Sequence, residues 1–126
     1  MITVLIADDQ LDTIAMHADY LRRHGYHVVS VADGNAALDT VRRQRPGVVV
    51  LDHSMPGRSG IDVARELKSD PVTAGIPVLL MTAHAYGAVG RRAREAGCDA
   101  FLSKPCGPRR LLEEVRRYDP PMLAGT

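Results

Sequence analysis

The sequence predicts an α/β fold: a three-layer, doubly wound sandwich in which a five-stranded parallel sheet carries helices on both faces. Three observations predict it. Short runs rich in Val, Ile and Leu recur along the chain, and runs such as Val48-Val49-Val50-Leu51 do not alternate polar with apolar, the pattern of a strand buried on both sides. Segments of helical period separate these runs. The connections are only a few residues long, so strand and helix alternate five times, as right-handed βαβ units do.

The strand runs are Thr3 to Ala7, Val28 to Val31, Val48 to Leu51, Ile76 to Met81 and the weaker Ala100 to Ser103. After the first comes a helix with Ile14, Ala18 and Leu21 on one face, stopped by Gly25; after the second, one with Ala37, Leu38 and Val41, stopped before Pro46-Gly47. Ser59 stands three residues before Asp62, as in a capping box, and opens a third helix striped by Ile61, Ala64 and Leu67 and ended by Asp70-Pro71. The fourth helix carries Val89, Ala93 and Ala96 and ends at Gly97. The fifth carries Leu111, Val115 and Tyr118, and Asp119-Pro120-Pro121 closes it.

At 126 residues the chain has the length of one domain, expected over 1–118 with a frayed tail at 119–126. A chain of this size buries enough surface to fold without disulfides or a structural metal. Its net charge of +1 gives no field toward phosphate backbones or anionic lipid, so neither nucleic acid nor membrane is an expected partner. No long apolar stretch or signal-like amino terminus is present, and the expected location is cytoplasmic. Cys98 and Cys106 lack metal or CxxC spacing and are expected to be reduced, structural thiols.

In an open parallel sheet the ligand edge lies beyond the carboxyl ends of the strands, where the strand-to-helix loops converge. On that edge the sequence places Asp8-Asp9, then Asp52-His53-Ser54-Met55-Pro56-Gly57, then Thr82-Ala83, then Lys104-Pro105. Three carboxylates so close repel one another unless a positive charge joins them. Oxygen ligands favour a hard cation, and carboxylates with waters and a phosphoryl oxygen suit Mg²⁺. The edge therefore points to phosphoryl chemistry. Lys104 is one of two lysines beside fourteen arginines, a compact point charge where Arg is otherwise the rule.

These motifs resemble the receiver domains of two-component response regulators over Ile2 to about Arg117. They are Val4-Leu5-Ile6-Ala7-Asp8-Asp9, Leu51-Asp52-His53-Ser54-Met55-Pro56, Met81-Thr82-Ala83 and Phe101-Leu102-Ser103-Lys104-Pro105, in order and at successive strand ends. The resemblance implies a flavodoxin-like receiver fold with strand order 2-1-3-4-5. It implies that Asp52 takes a phosphoryl group from a histidine kinase or a histidine phosphotransfer protein. Asp9, Asp52 and the backbone carbonyl of Ser54 would hold Mg²⁺, with Asp8 contributing directly or through water. Lys104 would neutralise the transferring group and Thr82 would donate its hydroxyl to it. The pull on Thr82, coupled to the Phe101 ring, would then bias the surface of the fourth helix, fifth strand and fifth helix toward a downstream protein target. Such a protein catalyses only its own phosphorylation and dephosphorylation; a stand-alone monomer, or a weak dimer through the last helix, is expected.

This chain departs from the family pattern in places. Phe101 replaces a common Tyr, leaving a switch by packing but not by a ring hydroxyl. Ser54 and His84 occupy positions that in the family influence hydrolysis of the phosphoryl group, and Gly57-Arg58-Ser59-Gly60 is expected to alter local capping. Plainer readings stand beside these. Asp8 and Asp9 could cap the first helix, Thr82 could be a helix-entry residue, and Phe101 could be core. The five histidines show no ligand spacing and are expected to be solvated or incidental, with His53 and His84 flanking the site. Arg109-Arg110 and Arg116-Arg117 around Glu113-Glu114 read as a solvated face. A phosphorylation-independent adaptor is the alternative from the binding class. A phosphatase or flavin protein lacks its DxDxT loop or Gly-rich first turn here.

Overall fold

The computed structural model of the chain describes residues 2–84 and 87–119. Its elements alternate: β1 (Thr3–Ala7), α1 (Leu11–Arg23), β2 (His27–Val31), α2 (Gly34–Gln44), β3 (Val48–Asp52), α3 (Gly60–Ser69), β4 (Val78–Thr82), α4 (Ala88–Glu95), β5 (Ala100–Ser103) and α5 (Pro108–Tyr118). The strands form one parallel sheet in the order β2-β1-β3-β4-β5, the expected topology. Of the expected tail, only Asp119 falls among the described residues. No described helix is long and apolar enough to cross a membrane.

Side chains alternate across a strand, so a sheet covered on both faces needs apolar residues at every position. β1, β3 and β4 meet that demand and divide the interior in two. Val4, Ile6, Val50, Leu79 and Met81 pack beneath α1 and α5, against Ile14, Leu21, Leu111 and Val115. Their neighbours Leu5, Val49, Leu51, Val78 and Leu80 face the other way, toward α2, α3 and α4, against Leu38, Ile61, Leu67 and Ala93.

The helices start and stop by local chemistry. The Asp33 carboxylate accepts from the Ala36 N–H at 2.7 Å and caps α2. The Ser59 hydroxyl accepts from the Asp62 N–H at 3.1 Å, but Asp62 turns outward to Arg65, so only half of the expected capping box forms. Pro108 opens α5, where its missing N–H costs nothing. Gly97, just beyond α4, sits at φ 96°, a conformation that strains any side chain.

Several boundaries differ from the expectation. β4 begins at Val78 rather than Ile76, because Pro77 has no N–H for the ladder and the Ile76 N–H turns back to the Thr73 carbonyl. β3 and β4 each run one residue further, making Asp52 and Thr82 ladder residues rather than loop residues. β2 is an edge strand with mixed burial, and it begins at His27.

Two expectations about polar residues are corrected. His17 is not solvated: it is 1% exposed on the inner face of α1, and its Nε2 lies 2.9 Å from the Cys106 carbonyl oxygen. Glu114 is not part of a solvated face: it is 3% exposed, on the same side of α5 as Leu111, and Arg110 donates to it at 2.9 Å.

Two consequences can be measured. Asp33→Ala should lower the free energy of unfolding in urea by about 1 kcal/mol, whereas Asp33→Ser, which keeps a capping oxygen, should lose much less. Burial, reinforced by Asp99 and opposed by Lys68, pushes the Cys98 thiol up to about 11. On the order of one molecule in a thousand then carries the Cys98 thiolate near pH 8, so iodoacetamide should label Cys98 only after the protein is denatured.

Candidate functional site

Strand register builds the site as a staircase. Ala7 stands level with Leu51, so Asp8, the next residue of its chain, emerges beside Asp52. Asp52 is level with Met81, which puts Thr82 one step above it. Thr82 is level with Ser103, and Lys104 rises one step higher still. Four residues from four segments thus reach one rim because each follows an apolar strand whose pairing is fixed by burial.

The backbone holds this rim tightly. The Asp8 N–H bonds the Val31 carbonyl at 3.1 Å, the His53 N–H bonds the Met81 carbonyl at 2.9 Å, and the Lys104 N–H bonds the Thr82 carbonyl at 2.9 Å. The Lys104–Pro105 peptide is cis. Gly60, the first residue of α3, donates its N–H to the His53 carbonyl at 3.0 Å. A Cβ there would lie 2.5 Å from the Asp52 carbonyl oxygen, so only glycine lets α3 come this close.

The loop between β3 and α3 is anchored from its other side. The Gly34 N–H bonds the Pro56 carbonyl at 3.2 Å, and Arg58 bonds Asn35 at 3.0 Å and Glu66 at 2.6 Å. The departure at Gly57 to Gly60 therefore ties this loop to α2 and α3 through Arg58, while Ser59 caps α3.

Asp8 is 0% exposed, Asp52 2% and Thr82 1%; Asp9 is exposed. One carboxylate oxygen from each of Asp8, Asp9 and Asp52 lies within 4.8 Å of the others. The Lys104 ammonium pairs with the Asp52 carboxylate. Burial pushes the Asp52 carboxyl up; the Lys104 hydrogen bond and charge pull it down, while Asp8 and Asp9 push it further up.

Asp8 divides its two oxygens. Oδ1 accepts from the Gln10 N–H at 2.9 Å, so the plainer helix-entry reading is fulfilled by that atom. Oδ2 is buried with no partner. An orphaned carboxylate oxygen inside an acidic cluster is a ligand atom in want of a cation, and this all-oxygen donor set fits a hard divalent ion such as Mg²⁺.

A cavity of about 130 Å³ opens above Asp52, lined by His53, Ser54, Thr82, Ala83, His84 and Lys104. A water molecule claims ~30 Å³ of liquid, so a small tetrahedral group has room there. The Thr82 hydroxyl accepts from the His84 N–H at 3.0 Å, and its own proton is left for another acceptor. Beside this cavity a larger one of about 470 Å³ runs along α1, lined by Thr13, Met16, Met81, Lys104, Pro105 and Cys106. Met16, one of its lining residues, is a large apolar side chain left exposed, as is Leu11 at the start of α1. Phe101 is half-buried on β5, with the Arg94 guanidinium 5.9 Å from its ring centre.

All the residues singled out in the sequence for this edge therefore lie together: Asp8, Asp9 and Asp52 as a cluster, Lys104 on Asp52, and Ser54 and Thr82 around the same cavity. Sequence reading overlooked Gly60 and His17. A glycine immediately after a helix cap is a faint sign of close approach, and His17, three residues after Ile14 and four before Leu21, stands on the apolar stripe of α1, the signal that could have found it.

Comparison with known proteins agrees with this geometry. The response regulator receiver domain family matches residues 4–116. The polar-differentiation response regulator DivK of Brucella anthropi is 33% identical over 116 residues, which span 92% of this chain and 94% of the relative. The chemotaxis response regulator CheY4 of Vibrio cholerae superposes with a TM-score of 0.88 at 27% identity, covering 94% of this chain and 98% of that one. The receiver domain of the sensor histidine kinase PA1611 from Pseudomonas aeruginosa, whose structure has a magnesium ion coordinated in the active-site cleft, does so with a TM-score of 0.85 at 26% identity, covering 93% and 96%. With sheet order, acidic rim and family match in agreement over nearly its whole length, the chain belongs to the receiver domains of two-component response regulators, a family of signalling proteins rather than classical enzymes.

Proposed function

We propose that Asp52 is the phosphoryl acceptor of a two-component or phosphorelay pathway and that the site works with Mg²⁺. The observation that carries this reading is a buried carboxylate at a strand end with an ammonium against it and two more carboxylates within 4.8 Å. Asp8, Asp9 and Asp52 would hold the ion, with the backbone carbonyl of Ser54 as a further ligand. Bound there, Mg²⁺ would neutralise charge on the transferring phosphoryl oxygens.

The chain's own residues supply the rest. Lys104 opposes the upward push of burial and of the acidic neighbours on the Asp52 carboxyl and so favours its ionised, nucleophilic form. A carboxylate oxygen of Asp52 bonds to phosphorus as the phosphorus–nitrogen bond to the donor's histidine breaks, and the leaving imidazole keeps the electron pair. Once the phosphoryl group occupies the cavity, the Lys104 ammonium and the Thr82 hydroxyl proton face its oxygens. The same site would later return the group to water.

The donor is a histidine kinase or histidine phosphotransfer protein. Support for its approach over α1 comes from Met16, exposed in the cavity that reaches Lys104, and from Leu11, exposed on the same helix. The readout is the α4-β5-α5 surface, whose Phe101 lies on the same strand that delivers Lys104, and it serves a downstream protein target or onward transfer.

Incubation with acetyl phosphate and Mg²⁺ should add one phosphoryl group to the wild type by intact mass and none to Asp52→Asn. Equal labelling of both would overturn the assignment. Mg²⁺ at about one hundred times its dissociation constant should raise the unfolding free energy by about 2.7 kcal/mol, and Asp9→Asn, which removes an exposed ligand without disturbing the core, should abolish most of that gain in a thermal melt.

A further inference from the structure

We propose that His17 is a positioning residue for phosphoryl transfer. Through the Cys106 carbonyl it fixes the loop that carries Lys104 to helix α1, and so sets where the ammonium meets Asp52. The inference rests on the reading of Asp52 as acceptor.

Three observations converge on it. His17 is 1% exposed, among apolar neighbours of α1 such as Ile14, Ala18 and Leu21. Its Nε2 lies 2.9 Å from the Cys106 carbonyl oxygen, 89 residues away in sequence. A carbonyl only accepts, so Nε2 carries a proton and donates it to the loop. The second nitrogen, Nδ1, is buried with no partner. An apolar side chain at this position would fill the core without that cost, so packing alone does not account for a histidine. What the ring adds is the single bond to the loop.

The position of that bond gives it consequence. Lys104 reaches Asp52 on a flexible four-carbon stem, so its ammonium goes where the backbone sends it. The loop is pinned upstream by the bond from the Lys104 N–H to the Thr82 carbonyl at 2.9 Å. His17 pins it downstream, two residues past the lysine. α1 itself starts shortly after Asp8 and Asp9. One rigid helix thereby sets both the acidic pair and the loop of their counter-charge, on the two sides of the acceptor.

The test compares His17→Leu, which fills the space without a donor, with His17→Gln, whose amide N–H takes the place of Nε2. Phosphoryl incorporation from acetyl phosphate is followed at saturating Mg²⁺ against donor concentration, alongside Mg²⁺ affinity by calorimetry and the thermal midpoint. Misplacement of a charge-stabilising group by a fraction of an ångström should slow the maximal rate of His17→Leu about ten-fold, with Mg²⁺ affinity within about two-fold of wild type. The donor half-saturation and thermal midpoint should stay near wild type, and His17→Gln should recover most of the rate. A wild-type rate in His17→Leu overturns the proposal. So does a parallel fall of rate, Mg²⁺ affinity and thermal midpoint in both variants, which marks a packing role. A wild type that accepts no phosphoryl group sinks the acceptor reading and this inference with it; a wild type that accepts it while His17→Leu is unchanged sinks this inference alone.

Discussion

The structure turns on an electrostatic imbalance: three carboxylates crowd the carboxyl end of the sheet, and one ammonium faces them. A buried charge without a partner costs several kcal/mol, so the fold carries a local penalty at this rim. Stability drawn from two apolar cores sustains it. Nearly every residue of β1, β3 and β4 that precedes the rim is fully buried hydrocarbon, which fixes strand register and leaves the acids no room to move apart. The frustration is what makes the rim receptive. A group that brings positive charge to the three carboxylates would offset that penalty.

Much of this was legible in the sequence, for reasons that differ by residue. Val48 to Leu51 betrays burial on both faces, and Asp8, Asp52 and Lys104 betray themselves by following such runs directly. Once the sheet is parallel, residues after its strands must share an edge, so the cluster follows from connectivity alone. Strand ends were less legible. Asp52 and Thr82 read as loop residues because polar side chains normally end a strand, whereas here the ladder continues through them. Pro77 shows the reverse: an apolar run extends through it, but its lack of an N–H delays the ladder.

What the sequence hid were pairings between distant segments. His17 and Cys106 are 89 residues apart, and neither belongs to a spacing that announces contact. Glu114 looks like one more charge on an exposed helix, yet it lies on the buried side of α5 with Leu111 and Val115, and Arg110 reaches over to pair with it. Gly60 looks like a flexible turn residue, but it is required by the approach of α3 to the Asp52 carbonyl. Periodicity does place His17 and Glu114 on the buried stripes of their helices; what it does not encode is which distant group each of these residues meets.

The division of the interior into two apolar compartments has a consequence of its own. Among the described residues the buried apolar side chains form one cluster on the α1 and α5 side and another on the α2, α3 and α4 side, with the sheet between them. Substitutions that remodel one flank are absorbed there and leave the opposite flank's layout intact. The rim, built where the strands shared by both clusters end, is where a change on either flank would meet the other.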